Sequence, residues 1–226
     1  MVIKHVLRSK FSIFFITIFS IIIFFAWIVT GSCATTTGTL TEDEIWAGTV
    51  EITGDVIVPS GITLTVEPGT VIEFVSGEGL ELIVEGTLIA EGDAENLIMF
   101  TSNAQEPKAE DWTWVYFGEG SEGSLNYCTI MYANTGCRIK ASSSVIANST
   151  LEQNRVGINL GNSNAEIVKN RIAHNGIGIT ADYSEPAITH NHICSIYATI
   201  PMTASFRDAS FVSFGLCRSG RTTLTI

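Results

Sequence analysis

The sequence predicts an all-β protein, a right-handed parallel β-helix with about 21 residues in each coil and a signal or anchor helix before it. Three observations lead to this prediction. Apolar residues recur at that interval over four turns, polar corner residues recur in the same phase, and β-branched residues dominate without a helical period. A unit of this length cannot bury its own apolar face, so successive units must stack with like side chains in columns.

The N-terminal segment up to Ala34 has the three parts of an export signal. A basic head precedes an apolar run at residues 11–29, and the small residues Ser32 and Ala34 suit a signal peptidase, so cleavage after Ala34 is expected. Two alternatives stay open: the apolar run is long enough to remain as a membrane anchor, and Cys33 is a candidate for lipidation. We therefore expect an extracellular or cell-envelope protein whose membrane contact, if uncleaved, is limited to residues 11–29.

The clearest repeat starts near residue 125. Its apolar columns are predicted to lie inside, with glycine supplying corners of positive φ and asparagine tolerating the left-handed bend while hydrogen-bonding its own kind in the next coil. The apolar columns are Leu125, Ile146, Ile167, Ile188; Ile130, Leu151, Ile172, Ile193; and Cys137, Ile158, Ile179, Ile200. The polar columns are Ser121, Ser142, Ser163, Ser184; Gly136, Gly157, Gly178; Asn154, Asn175; and Asn170, Asn191.

The repeat extends in a looser phase toward the N-terminus. Gly48-Thr49-Val50 recurs as Gly69-Thr70-Val71, and strand-like segments add about three coils, giving seven or eight in all. We assign residues 45–196 to the parallel β-helix and predict a projecting loop at residues 103–111. After Tyr197 the columns fade, and residues 197–226 are assigned to a degenerate last coil, a cap or a disordered tail.

The charge balance narrows the partners. The net charge is −11, so no nucleic acid partner is expected. Residues 35–122 hold 18 acids against the single base Lys108. This charge keeps a stacked-sheet protein soluble. No cofactor is expected, and weak Ca²⁺ binding is the alternative that stays open. Cys128 and Cys137 fall at core positions, where they are expected to act as small hydrophobic residues.

One strand of each coil offers a polar outer strip. If the column of Ile130 points inward, the residues two positions before it also point inward and their neighbours point outward. Tyrosine can stack on sugar rings, and Lys or Arg can contact uronate carboxylates, so we predict binding of a polysaccharide or cell-surface glycan here. A solvated face without a ligand is the alternative. The predicted binding residues are Tyr127, Asn148, Lys169, Arg171, His190 and His192.

Two parts of the sequence resemble a known family. The segments SGITLTVEPGTVIEF, LIVEGTLIAEG and DWTWVYFGEGSEGSLNYCTI are similar to the first coils of bacterial and archaeal surface β-helix proteins. The later NSTLEQNRVGINL and KNRIAHNGIGIT resemble the Asn- and Gly-rich repeat of the pectate-lyase-like superfamily, which also occurs in periplasmic copper-binding repeat proteins. The resemblance implies the fold but not the activity, because this fold hosts lyases, hydrolases, binding proteins and adhesins.

The residues favour a non-catalytic surface module over an enzyme. A polysaccharide lyase needs a base beside carboxylates that hold Ca²⁺; Lys169 or Arg171 would supply the base, but the nearby carboxylates are scattered over different columns. For a glycoside hydrolase, residues 138–140 match a known tripeptide only in spelling. The pair His190 and His192 is weak evidence for copper or zinc. The alternative of a lyase or glycoside hydrolase acting on acidic polysaccharide stays open, with no catalytic or metal-binding residue assigned. The carboxylates considered are Glu152, Glu166, Asp182 and Glu185.

Overall fold

The computed structural model describes residues 33–140, 142–194 and 213–214, and these residues form a stack of short parallel strands. The chain winds as a right-handed parallel β-helix, which confirms the predicted fold class. Nowhere in the described part of the chain is a helix long and apolar enough to cross a membrane. The predicted signal or anchor at residues 11–29, the column member Ile200 and most of the predicted tail lie outside the described residues.

The strands form three faces that run along the axis, called here faces A, B and C. Face A consists of β2 (Glu44–Trp46), β4 (Thr63–Val66), β7 (Thr87–Glu91), β10 (Glu122–Asn126), β13 (Val145–Ala147), β16 (Glu166–Val168) and β19 (Ala187–Thr189). Face B contains β5 (Val71–Phe74), β8 (Ile98–Ser102), β11 (Cys128–Met131), β14 (Thr150–Glu152), β17 (Arg171–Ala173), β20 (His192–Cys194) and β21 (Ser213–Phe214). Face C contains β6 (Glu81–Val84), β9 (Trp112–Phe117), β12 (Ala133–Lys140), β15 (Val156–Gly161) and β18 (Ile177–Asp182).

Two longer strands join faces B and C into one sheet at the N-terminal end. The first half of β3 (Thr49–Val58) pairs with β5 and its second half pairs with β6. In front of it, β1 (Cys33–Thr39) pairs with both halves of β3. The β-structure therefore begins ahead of the 45–196 range that the sequence assigns to the solenoid, and the expected cleavage point after Ala34 falls inside β1.

The predicted repeat interval sets the pairing of the later coils. Ile146 pairs with Ile167, which pairs with Ile188, and Leu151 pairs with Ile172 in the same way. All members of the three apolar columns within the described residues are buried, as are the four column serines. The column prediction is confirmed, because a parallel stack gives equivalent residues of successive coils the same environment.

The predicted alignment of the early coils is wrong by one position. Alignment of the repeated Gly-Thr-Val would pair Val50 with Val71. In the structure Val50 pairs with Ile72, and Thr49 pairs with Val71. Thr70 is the additional residue; it is buried and its hydroxyl donates to the Glu67 carbonyl at 2.7 Å. A slip of one position exchanges the inner and outer sides of a strand, and the buried pair Val50 and Ile72 fixes the observed register.

The interior is apolar along its length, with the largest side chains in the early coils. The rings of Phe74 and Trp112 stack with centroids 4.0 Å apart, and the Trp112 indole donates to the Met131 carbonyl at 3.0 Å. Cys128 and Cys137 are buried free thiols, which confirms their predicted role as core residues. Burial raises the pKa of the Cys128 thiol to about 12. Cys194, by contrast, is disulfide-bonded.

Two buried asparagine ladders close the corners on either side of face B. Asn170 accepts the Ser149 N–H through Oδ1 at 2.9 Å, and its own N–H donates to Asn191 Oδ1 at 2.8 Å. Asn154 and Asn175 repeat this arrangement at the other corner, with an N–H to Oδ1 distance of 2.9 Å. The predicted hydrogen bonds between asparagines are present in both ladders, from Nδ2 to Oδ1 at 3.1 Å. The ladders satisfy backbone groups that the tight corners would otherwise leave buried and unpaired.

The backbone conformation of the corners differs from the prediction. Positive φ at the later corners belongs to the residues that precede the ladder asparagines, such as Lys169 and His174, and not to the asparagines. The repeated glycines Gly136 and Gly157 also have ordinary φ values; they are required because an added Cβ on Gly157 would lie 2.5 Å from the Gly178 carbonyl oxygen. Glycine supplies the left-handed corner in the early coils, for example at Gly69.

The predicted loop at residues 103–111 is present between β8 and β9. Its end is attached by Asp111, which is buried and accepts from the Ser102 hydroxyl at 2.8 Å and from the Lys108 N–H at 3.1 Å. Its start is attached by Asn103, whose side-chain oxygen accepts the Ser76 N–H at 3.1 Å. The loop is therefore inserted into a coil without changing the pairing of the strands around it.

Candidate functional site

Four of the six residues of the predicted binding strip occupy a corner and not a flat strand face. Tyr127, Asn148, Lys169 and His190 lie in the connections of one or two residues between faces A and B, with φ values of 53, 47, 56 and 58°. Tyr127 and Asn148 are half-buried, whereas Lys169 and His190 are exposed. The alternation that predicts outward side chains is interrupted here, because the chain turns from one face to the next at a left-handed residue.

The remaining two strip residues, Arg171 and His192, lie opposite each other on the outer side of face B. Arg171 is ion-paired: its Nη1 lies 2.6 Å from Glu152 Oε2. The same carboxylate oxygen is 3.7 Å from Nδ1 of His174. This ion pair lowers the positive potential that an acidic ligand would meet.

A second surface, on the outer side of face C, carries aromatic and cationic side chains together. Trp114 and Tyr116 project from β9 with ring centroids 6.2 Å apart. The guanidinium carbon of Arg138, on the neighbouring β12, lies 4.8 Å from the Trp114 ring centroid and 5.8 Å from that of Tyr116. These three residues are called here the aromatic platform. Arg138 makes a cation–π contact with both rings, and all three side chains are partly exposed.

The pairing of the strands explains how this platform forms. Val115 and Phe117 are buried, so that Tyr116 between them must face outward. Tyr116 pairs with Arg138, which itself stands between two core residues of β12. The outward position of Arg138 could be predicted from the sequence, because Arg138 directly follows the predicted core residue Cys137. Its contact with the aromatic rings could not, because the rings and the arginine come from different coils and the earlier coil is outside the regular phase of the repeat.

Two carboxylates stand at one side of the platform. Glu81 on β6 pairs with Trp114, and its N–H donates to Asp55 Oδ1 at 3.1 Å. Burial raises the pKa of the Glu81 carboxyl above its ordinary value, and the Asp55 carboxylate raises it further. The Trp114 N–H and the Arg138 guanidinium lower the pKa in part. The Trp114 indole N–H is near enough to Glu81 to affect its pKa, yet within the described residues it is the one buried side-chain polar atom without a hydrogen-bond partner.

Polar side chains continue the platform toward the C-terminal coils. Arg138 pairs with Asn159, and Asn159 pairs with Thr180, so the three stand in a row at successive coils. The Asn159 amide donates to the Thr180 hydroxyl at 2.6 Å. Since adjacent parallel strands are about 4.8 Å apart, the row from Tyr116 to Thr180 offers an extended surface along the axis.

A cleft of about 430 Å³ lies at the corner between faces B and C. Its charged groups are satisfied by each other: Arg155 Nε is 3.1 Å from Glu110 Oε1, and Arg155 Nη2 donates to Asn134 at 3.1 Å. The Arg155 guanidinium in the cleft is therefore already engaged within the protein. Its lining residues are Ala109, Glu110, Gln153, Asn154, Arg155, His174 and Gly176.

Metal-binding side chains do not gather in the residues that the structure describes. Among them, no three His, Cys, Asp or Glu side chains come together in a way that would hold an ion. The pair His190 and His192 is divided between the corner and the outer side of β20.

Comparison with known proteins supports the class of fold. Residues 38–120 match the model of a family described as a pectate-lyase like beta helix domain. Neither the curated proteins nor the solved structures contain a match. The matched stretch includes β3 to β9, with Glu81, Trp114 and Tyr116, whereas Arg138 follows it. The pectate-lyase-like resemblance is confirmed for this part of the chain, and the solenoid continues beyond it with the same parallel pairing.

Proposed function

We propose that this protein is an exported, non-catalytic β-helix module that binds an acidic polysaccharide or cell-surface glycan through the aromatic platform. The observation that carries the proposal is the position of the Arg138 guanidinium over the rings of Trp114 and Tyr116 on an outer sheet face. Aromatic rings present large, rigid contact areas for sugar rings, and the planar guanidinium matches a carboxylate with two parallel hydrogen bonds.

The ion pairing of the arginines favours the aromatic platform over the predicted binding strip. Arg155 and Arg171 are each ion-paired with a glutamate. Among the described residues, Arg138 has no carboxylate within ion-pair distance, so its N–H groups remain available to a ligand carboxylate. Asn159 and Thr180 add amide and hydroxyl groups in line with it, which suits a polymer with hydroxyl groups at regular intervals.

Export is supported by the signal-like segment that ends at Ala34 and by the disulfide of Cys194, since disulfides persist in oxidising compartments. N-terminal sequencing of the protein recovered from the medium or envelope is expected to begin at Thr35. Recovery of the uncleaved chain from the cytoplasm would contradict this part of the proposal.

A glycan array compared across two variants tests the binding surface. The double variant Trp114→Ala/Tyr116→Ala is expected to lose binding to uronate-containing glycans, because aromatic stacking contributes on the order of 1 kcal/mol per ring and both rings position Arg138. The triple variant Tyr127→Ala/Lys169→Ala/Arg171→Ala is the matched control and is expected to bind as the parent does.

If the predicted binding strip is the binding surface instead, the triple variant loses binding and the double variant keeps it. Circular dichroism and thermal melting of both variants must show that the β-helix is retained, which the outward positions of the substituted residues predict. If the unaltered protein binds no glycan on a broad array, the proposed function is wrong.

A glycoside hydrolase is the second candidate, favoured by the Glu81 carboxyl, whose pKa burial raises, beside the exposed Asp55 carboxylate. Glycoside hydrolysis uses two carboxyl groups in different environments, one protonated and one ionised. Release of reducing ends from a bound glycan, abolished in Glu81→Gln, would establish hydrolysis. Absorbance of unsaturated products would instead indicate a lyase. No product of either kind is expected from a binding module.

A further inference from the structure

The Glu81 carboxylate lies at the side of the platform where a charged ligand would bind. Glu81 and Ile83 project from β6, opposite Trp114 and Tyr116 of β9 respectively. Trp114 and Arg138 are both close enough to Glu81 to influence its pKa. A ligand carboxylate that binds Arg138 over these rings would therefore lie near a carboxylate of the protein.

We propose that Glu81 sets the charge preference of the aromatic platform: its ionised carboxylate weakens the binding of acidic glycan to Arg138, and its protonation or replacement strengthens that binding. This inference rests on the proposed function. It differs from a general effect of the acidic surface because Glu81 stands opposite Trp114, whose ring Arg138 covers, whereas more distant acids are screened by salt.

The surroundings of Glu81 shift its titration upward. Burial raises the pKa of Glu81, and the Asp55 carboxylate raises it further, against the opposing effects of the Trp114 N–H and Arg138. Glu81 therefore takes up its proton at a higher pH than an ordinary glutamate does. Most ligand uronates are still ionised there, so that acidification removes the repulsive charge before it removes the attractive one.

Linkage requires the reverse effect as well. If acidic glycan binds more weakly to the ionised form of Glu81, bound glycan raises the pKa of Glu81 further, and binding is accompanied by proton uptake. A neutral oligosaccharide has no charge to be repelled and should show neither effect.

The test measures the dissociation constants of a uronate oligosaccharide and a neutral one by titration calorimetry between about pH 5 and pH 7. In the unaltered protein, affinity for the uronate ligand is expected to rise several-fold on acidification. In Glu81→Gln the affinity at neutral pH is expected to be about five- to tenfold higher than in the parent and nearly independent of pH, because removal of one nearby like charge is worth about 1 kcal/mol. Affinity for the neutral ligand should change little.

Glu73→Gln is the matched control. Glu73 is a partly exposed outward residue of β5 on face B, so this variant removes the same charge away from the platform. Equal gains in both variants would show that only the net charge matters and would overturn the inference. A pH-independent uronate affinity in the parent, or an equal gain for the neutral ligand in Glu81→Gln, would also overturn it while leaving the proposed function intact. If neither protein binds any glycan at any pH, both proposals are wrong.

Discussion

Substitution of Gly157 by alanine tests the close packing of the glycine column. The new Cβ would lie 2.5 Å from the Gly178 carbonyl oxygen and 3.0 Å from Ile172 Cγ2. The first contact is with backbone of the next coil, which cannot rotate away, so the two coils must separate locally. Overpacking of this kind typically costs about 1–3 kcal/mol. Because a domain of this size loses roughly 2–4 °C of melting temperature per kcal/mol, Tm should fall by roughly 2–12 °C.

Gly161→Ala in the same strand provides the control for Gly157→Ala. No heavy atom lies within 4 Å of the Cβ that this substitution adds, and Gly161 does not have a positive φ. Alanine reduces the freedom of the unfolded chain, so this variant should match the parent or gain about 0.4–1 kcal/mol. Tm by differential scanning calorimetry distinguishes the two variants. Equal melting of Gly157→Ala and Gly161→Ala would refute the argument from backbone contact.

Two further predictions concern buried polar and thiol groups. Asn170→Ala leaves the Ser149 N–H and the Ile146 carbonyl without their partners. It should lower the free energy of unfolding by about 2–5 kcal/mol in urea titrations, and a loss below about 1 kcal/mol would contradict this role of the ladder. Cys128 and Cys137 should resist alkylation at neutral pH until the protein unfolds, because burial raises the pKa of both thiols. Rapid labelling of the native protein, followed by mass spectrometry, would show that these coils open.

Much of the fold was predictable because the later coils repeat their environment as well as their sequence. Ile146, Ile167 and Ile188 occupy equivalent positions in adjacent parallel strands, so one period describes pairing, burial and side-chain direction together. The early coils lack this property. Their paired residues are from 16 to 35 positions apart, because loops of different lengths enter between the strands. A single interval cannot reveal such a register, as the misplaced Val50 shows.

The left-handed corner residues and the contacts of the aromatic platform were harder to predict from the sequence. A left-handed conformation costs a residue other than glycine roughly 1 kcal/mol, so that tyrosine and lysine are not expected there. Tyr127 and Lys169 nevertheless adopt it, since pairing of the strands on both sides leaves only one or two residues for the turn. The platform depends on Arg138 meeting aromatic rings from the preceding coil, and no pattern within one strand contains that contact.

The asparagine ladders have a direction, and this direction has a consequence for how the chain is completed during synthesis. The backbone N–H of Asn154 is satisfied by the side chain of Asn175, and that of Asn170 by Asn191, in each case from the following coil. The N-terminal coil of each pair emerges first from the ribosome and carries an unpaired donor until its successor has been made. Each coil is thus finished by the next one, and a pause in translation inside this region would leave the newest corner open.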